Sequence, residues 1–493
     1  LLEELTLNFG SDFLSNSFTA LGLRFDNSSS LAEITHTNYE LKLEKAKGWV
    51  KNWSRRDLTL YGKITIIKSL ILSQFSYLAV PLPRPSDQMI KSIDSLVYHF
   101  LWGCKRDKIK RDLVARPISF GGLNLFPPKH FIKGLKCSTL TKLFDNNFTH
   151  LWKDIIVNQL KYPDLPRISV ESRLVKQGCN YTTDLISCFN QWKEEAATRL
   201  GGSVNHCVWG NERITDIGAK LWNDKLISRG VMYITDFLSD SYSILNYNDF
   251  LTKWGLTGAD VSANTYVNIK MAIRRYDCPT STSKAISHIE KSYNLTFIKP
   301  QKATPGRLFR EAIGPNHDMD SLTPLNNWSL ELKRSNIDWS YILHNSNTNV
   351  TNNFKLIQFQ YKLLMRISTC KLMRLRMGIV KDNGLCRHCN ELETLNHIFF
   401  SCYHTTMFIN SLNNFIRTDI DREYSDRDRY FLLTCAHDNQ CVNFINMAGK
   451  WFISRQFHRS ENLMWDLFLK FVRSFLIGEK IEIKRIVQPM LDS

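Results

Sequence analysis

"WVKNWSRRDLTLYGKITIIKSLILSQFSYLAVPLPRP", residues 49–85, sets the architecture. Ala46, Trp49, Val50 and Trp53 stand at i, i+3, i+4 and i+7, one face of an amphipathic helix, and Lys45, Lys47 and Lys51 lie off that stripe. Leu60, Ile64, Ile67 and Ile71 repeat the pattern in a second helix, with Lys63 and Lys68 outside its apolar face. Pro81, Pro83 and Pro85 end it, because proline lacks the N–H and its ring clashes with the preceding turn. Ser86 then reads as the N-cap of a third helix carrying Ile90, Ile93, Val97 and Phe100 or Leu101. "LWGCKRDKIKR" (101–111) closes that helix and opens a basic loop with Lys105, Arg106, Lys108, Lys110 and Arg111. "SFGGLNLFPP" (119–128) reads as loop around Gly121 and Gly122.

Working outward, "LGLRFD" (21–26) offers a short strand, and residues 150–360 carry mostly helical periodicity. "LHNSNTNVTNN" (343–353) is polar and marks the best candidate boundary. "FKLIQFQYKLLMRISTCKLMRLRMGIV" (354–380) reads as one long basic and apolar helical stretch, and "ENLMWDLFLKFVRSFLIG" (461–478) as a further helix. The expected class is mainly α, with short β elements near the N-terminus. No internal repeat is present, and 493 residues suit roughly three to four domains.

Charge narrows the partners. The chain carries a formal +17, and residues 41–116 alone hold sixteen Lys or Arg against six Asp or Glu. Such density favours a polyanion, nucleic acid before an anionic membrane, since no apolar run reaches the ~20 residues a spanning helix needs. Lys45, Lys47, Lys51, Arg55, Arg56, Lys63, Lys68, Lys105, Arg106, Lys108, Lys110 and Arg111 are the expected phosphate contacts, weighed against a merely solvated helix face. Trp49 and Trp53 lie on the apolar stripe and are expected in the core, not stacked on bases. The twelve cysteines are scattered and the opening residues "LLEELTLNFG" lack a secretory leader, so an intracellular setting, cytoplasm and nucleus, is expected. Leu1 is not Met, and the chain is expected to be a piece of a longer product.

"CRHCNELETLNHIFFSC" (386–402) holds a Cys-x2-Cys-x7-His-x4-Cys pattern through Cys386, Cys389, His397 and Cys402. Two residues between thiols let a tight turn aim both at one ion, and zinc takes four N/S ligands in a tetrahedron. His397 and Cys402 are five apart, about 140° around an ideal α-helix, so the second half must be a short helix ended by the last cysteine. His388 and His404 are spare donors beside the set, and Phe399 and Phe400 are placed to cover an ion. With four protein ligands no position is left for water, and the expected role of Zn2+ is structural, worth about 10–16 kcal/mol in small zinc modules. Catalytic signals are missing: there is no adjacent Asp-Asp pair, no phosphate-binding Gly-rich loop and no Gly-x-Ser-x-Gly elbow. Asp419, Asp421, Asp426 and Asp428 in "TDIDREYSDRDRY" (418–430) are interleaved with arginines and read as a solvated, self-paired loop.

The succession "ALGLRFD", then residues 49–85, then "YHFLWGCKRDKIKR…PISFGGLNL" resembles the region after the palm in reverse transcriptases of LINE-type (non-LTR) retrotransposons. The resembling blocks are Trp53 with Leu58-Thr59-Leu60, Gly62-Lys63, Ile67-Lys68, Tyr77, Phe100-Leu101-Trp102 and Gly121-Gly122-Leu123. The cysteine–histidine box, preceded by "RLRMGIV", is similar to the terminal zinc domain of the same polyproteins. The likeness covers most of the chain and is thin across 150–350.

The resemblance implies a palm tail (1–38), a thumb-like helical nucleic-acid-binding domain (39–150), a helical connector (151–350), a zinc domain (351–410) and a C-terminal helical region (411–493). It further implies an RNA template and a DNA primer or target as partners. Mg2+ would belong only to a palm that these residues do not include, which would leave this chain alone without polymerase activity. The family's aromatic-x-Asp-Asp motif would lie upstream of Leu1, and Ala20 stands where the family usually has Tyr before Leu-Gly. A stand-alone zinc-containing nucleic-acid-binding protein is the alternative, and a protein-interaction scaffold with an incidental basic face a third.

Overall fold

The computed structural model describes residues 17–26, 28–103, 106–143, 149–159, 181–188, 208–210, 214–241, 243–275, 322–346, 349–379, 383–425, 433–459 and 461–492. They are mainly helical, with two short strands near the N-terminus, β1 (Ser17–Ala20) and β2 (Leu23–Asp26). The helices needed below are α1 (Leu31–Trp53), α2 (Leu60–Ile66), α3 (Asp87–Trp102), α4 (Pro128–Leu143), α5 (Tyr247–Trp254) and α6 (Ala263–Arg275). Further along come α7 (Thr323–Leu332), α8 (Trp339–Asn345), α9 (Phe354–Leu364), α10 (Lys371–Arg376), α11 (Tyr403–Phe415), α12 (Gln440–Arg459), α13 (Trp465–Leu476) and α14 (Ile481–Asp492). The chain forms two compact units: Leu1–Lys51 with Ser69–Leu96 and Pro127–Asn316, and Asn52–Lys68 with Val97–Phe126 and His317–Ser493. Each unit is assembled from three separate stretches, so the five linear segments expected from the sequence map onto them piecewise.

In the first unit, β1 and β2 pair antiparallel through a two-residue turn. Leu21 (φ 50°) and Gly22 (φ 78°) both take left-handed backbone there, the geometry that matches strand twist in a tight hairpin. Asn38 ties the hairpin to α1: its amide oxygen accepts from Arg24 N–H and its amide nitrogen donates to Arg24 O, both at 2.8 Å. A capping box starts α1, with Ser30 N–H donating to Glu33 Oε2 (2.7 Å) and Glu33 N–H to Ser30 Oγ (3.3 Å). The helix buries Tyr39, Leu43, Ala46 and Val50, spaced by three and four residues. Lys136 of α4 is fully buried. It donates to Leu82 O (2.6 Å) and pairs with Asp184 (3.2 Å), whose carboxylate also takes Arg84 Nε at 2.8 Å. Residues 208–275 have an aromatic core of their own, with Phe237 stacked on Phe250 (5.1 Å) and Tyr266 4.7 Å from Phe250.

In the second unit α12 is buried along most of its length, from Cys441 to Phe457. Phe452 packs 5.5 Å from Phe408 of α11 and 5.5 Å from Phe468 of α13. Gly449 is small because a Cβ there would lie 2.9 Å from Leu412 Cδ2. The buried face also carries a cation. Lys450 donates to Leu433 O (2.9 Å), to Cys435 Sγ (3.0 Å) and to Gln360 Oε1, and Gln360 in turn donates to Leu433 O (2.9 Å). Gly122 is required in the 117–125 loop: a Cβ would sit 1.9 Å from Arg116 O.

One expectation changes on inspection. The run 354–380 is two helices, not one. Arg366 adopts φ 54°, Arg366 N–H bonds Leu363 O (3.0 Å) and Ile367 N–H bonds Lys362 O (2.8 Å), a Schellman ending of α9. The stretch 343–353, the candidate boundary, is held by hydrogen bonds where it is described. Glu479 accepts from Thr351 hydroxyl and from Asn352 N–H (2.7 Å), and Ser346 Oγ donates to Thr434 O (3.2 Å).

Candidate metal centre and nucleic-acid interface

Cys386, Cys389, His397 and Cys402 converge. Their ligand atoms all lie within 4.8 Å of one another, and Cys389 Sγ is 3.2 Å from His397 Nε2. A tetrahedral site with ~2.3 Å sulfur bonds would have sulfur–sulfur edges of about 3.8 Å, so a small contraction would close this group on one ion. The donor set, three thiols and an imidazole, suits a divalent metal that accepts sulfur, and the group is able to hold such an ion.

The first half is a tight turn. Asn390 N–H donates to Cys386 O (2.9 Å), Cys386 N–H returns to Glu391 O (2.7 Å), and Asn390 takes the left-handed backbone (φ 62°) that reverses the chain. Leu385 bridges Leu392 and Glu393 N–H donates to Gly384 O at 3.0 Å. Gly384 is at φ 69°, a conformation side chains resist. The turn aims backbone N–H groups at sulfur, with His388 N–H 3.5 Å from Cys386 Sγ.

The second half resolves the five-residue spacing. Residues His397–Ser401 form a π turn, whose N–H groups reach back five residues; Cys402 N–H donates to His397 O at 2.9 Å. An ideal α-helix would splay His397 and Cys402 apart, whereas the wider π turn brings residue i+5 back over residue i. Cys402 is then the extended residue that starts α11, where the N–H groups of His404 and Thr405 face its sulfur.

Burial dominates the electrostatics. It pushes the Cys386 thiol up to about 12 and the Cys402 thiol upward as well, against the pull of those N–H groups. A metal ion that binds there displaces the protons of these thiols. His397 presents Nε2 to Cys389, while Nδ1 stands 3.3 Å from Glu391 Oε2. A carboxylate behind the imidazole fixes its tautomer and raises its basicity as a ligand. Glu391 was missed at the sequence level, although a partner carboxylate near any ligating histidine is a signal worth seeking. His388 and His404 stand outside the converging group: their rings face each other at 4.9 Å, and His388 lies 5.1 Å from Phe457. Phe399 and Phe400 are buried in the π turn.

The basic residues divide between the units. Lys45, Lys47 and Lys51 are exposed on α1 in the first, and Lys47 pairs with Glu44. Arg55, Arg56, Arg106, Lys108, Lys110 and Arg111 are exposed in the second, while Lys63 and Lys68 are half-buried there. Lys105 lies outside the described residues. Some of these charges also serve the fold. Arg56 sits 4.5 Å over Trp53, Arg111 pairs with Asp107 (2.8 Å) and lies 4.3 Å over Tyr98, and Lys68 lies 5.5 Å from Phe126. Trp49 and Trp53 are half-buried, less enclosed than expected, and Trp49 Nε1 is buried without a partner.

Asp426 and Asp428 lie outside the described residues; Asp419 is exposed and Asp421 stands 3.8 Å from His437. No helix among the described residues is long and apolar enough to cross a membrane. Compared with models of known protein families, the chain matches none.

Proposed function

We propose that the chain is the post-palm portion of an RNA-directed DNA polymerase of LINE type. In this reading its helical thumb grips template–primer and a structural zinc domain binds RNA or DNA. The observation that carries the reading is the make-up of the second unit, which combines Arg55, Arg56, Lys63, Lys68, Arg106, Lys108, Lys110 and Arg111 with the Cys386/Cys389/His397/Cys402 group. A cation site that stiffens a small fold, in the same unit as a dense set of basic side chains, suits a protein that tracks a nucleic-acid backbone. Zinc is the metal that best fits three thiolates and an imidazole without redox chemistry. The catalytic carboxylates and their Mg2+ would belong to a palm outside these 493 residues, so this chain alone binds and does not polymerise.

Titration of labelled single-stranded RNA, DNA and an RNA–DNA hybrid against salt, with the zinc-loaded chain, tests the binding. The expected result is a steep fall of log affinity with log salt, each neutralised phosphate contributing roughly 0.7–0.9 to the slope. Weak, salt-independent association would remove nucleic acid as the partner. Sequencing the transcript then separates the two binding readings: an in-frame aromatic-x-Asp-Asp box upstream supports the polymerase, and its absence leaves a zinc-containing nucleic-acid-binding protein.

A further inference from the structure

Helix α10 is fastened to the turn that carries the metal ligands. The buried Glu393 carboxylate accepts Lys371 N–H at 2.9 Å. Lys371 Nζ donates in return to Leu385 O (2.9 Å), beside the ligand Cys386, and Leu372 N–H donates to Glu393 O (3.3 Å). Side chains fix which face of α10 meets the turn. Leu372 and Leu375 lie against Gly384, where a Cβ would stand 3.5 Å from Leu372 Cα and 3.1 Å from Leu375 Cδ2. At about 100° per residue, Arg374 and Met377 then point away from the turn and Arg376 stands at the margin of the contact. Arg376 and Met377 are exposed and Arg374 is half-buried. Residues 354–381 hold seven Lys or Arg and no Asp or Glu.

We propose that α10 is a strand-binding helix set in place by the metal turn, with Arg374 and Arg376 taking backbone phosphates and Glu393 as the positioning residue between turn and helix. This inference rests on the nucleic-acid reading and adds a contact and a coupling to it. Arg374 and Arg376 stand outside the contacts expected from sequence, where their run reads as part of one longer helix. Cations without an interleaved acid match a polyanion. A nucleic-acid strand suits α10 better than an acidic peptide, since the same unit also exposes Arg55, Arg56, Arg106 and Lys110. An isolated helix as short as α10 is not stable in water, so its orientation depends on its anchor. The anchor depends in turn on the ion, because metal binding and the order of residues 383–402 share one free energy. Metal and strand therefore favour the same arrangement, and by linkage each raises the affinity of the other by the same factor.

The test measures Zn2+ affinity of the full chain by chelator competition, with and without a saturating RNA–DNA hybrid, and hybrid affinity of the zinc-loaded chain across a salt series. For the wild type, the hybrid should raise Zn2+ affinity several-fold. The double variant Arg374→Gln, Arg376→Gln should abolish that gain and lower the salt slope by roughly 0.7–0.9 for each arginine. Glu393→Ala should abolish the gain with both arginines present, and Lys470→Ala, at an exposed lysine of α13, should leave gain and slope unchanged. A wild type that binds the hybrid with no change in Zn2+ affinity, or a gain that survives in the double variant or in Glu393→Ala, would overturn the coupling and leave nucleic-acid binding standing. A wild type that fails to bind the hybrid would overturn both. If polyglutamate raises Zn2+ affinity as far as the hybrid does, the partner is an acidic peptide and the strand assignment falls.

Discussion

Around His397 four donors converge on a point that calls for a cation, and around Lys450 three acceptors converge on a cation that the chain itself supplies. The first point is made by one short segment, a turn closed at Cys386–Glu391 and a π turn closed at His397–Cys402. The second is made by residues far apart in the chain, with Gln360 of α9 and Lys450 of α12 both donating to Leu433 O. The contrast shows two routes to a charged site. Local spacing can fix ligand geometry by itself, whereas a buried cation with distant acceptors needs tertiary packing to bring them to it.

Removing one donor breaks the first side of this contrast most severely. Cys389→Ser should lower metal affinity by orders of magnitude and unfold the 383–402 segment, because binding and local folding share one free energy. Isothermal titration with Zn2+ and amide exchange across 383–402 check it; metal uptake as tight as in the wild type would sink the four-ligand site. Glu391→Gln should act less strongly, costing about 10–100-fold in metal affinity with the fold retained, since only the support of the His397 imidazole is lost. An unchanged competition curve against a chelator would show that the 3.3 Å contact to Nδ1 does not matter.

The second of these positions sharpens the comparison. Lys450 is a buried cation whose acceptors are Gln360, Leu433 and Cys435, with no carboxylate among them. Burial holds its pKa below the ordinary lysine value of 10.5, offset in part by Cys435. The unfolded chain therefore binds this proton more tightly. The stability linked to Lys450 is fully present above pH ~10.5 and is lost as pH falls toward the folded value. Urea midpoints of Lys450→Met and its parent, both carrying Cys435→Ala, should diverge as pH drops below 10.5, by about 1–3 kcal/mol against the parent near neutrality. A constant difference across that range would mean the ammonium is as well solvated inside as out.

Much of the fold was legible. The stripes at Ala46–Val50, Leu60–Ile71 and Ile93–Leu101 are buried, because a helical period of apolar residues leaves one face with no partner but the core. The metal group was legible for a similar reason: Cys-x2-Cys is a turn-sized spacing, and thiols and imidazole have little other reason to gather. Less visible was the break at Arg366, where a Schellman ending used a residue that sequence preference does not mark. Glu391 was hidden because an exposed acid in a turn has many ordinary uses.

The sequence by itself determined a mainly helical chain, a basic N-terminal third and a Cys/His set with metal-ligand spacing, since periodicity, charge and short-range spacing are local quantities. Only the tertiary structure decided that His397, not His388 or His404, faces the cysteines, that a π turn brings His397 and Cys402 together, and that Gln360 meets the buried Lys450. Those outcomes depend on which faces dock and how much water they exclude, and docking is settled by the whole core at once.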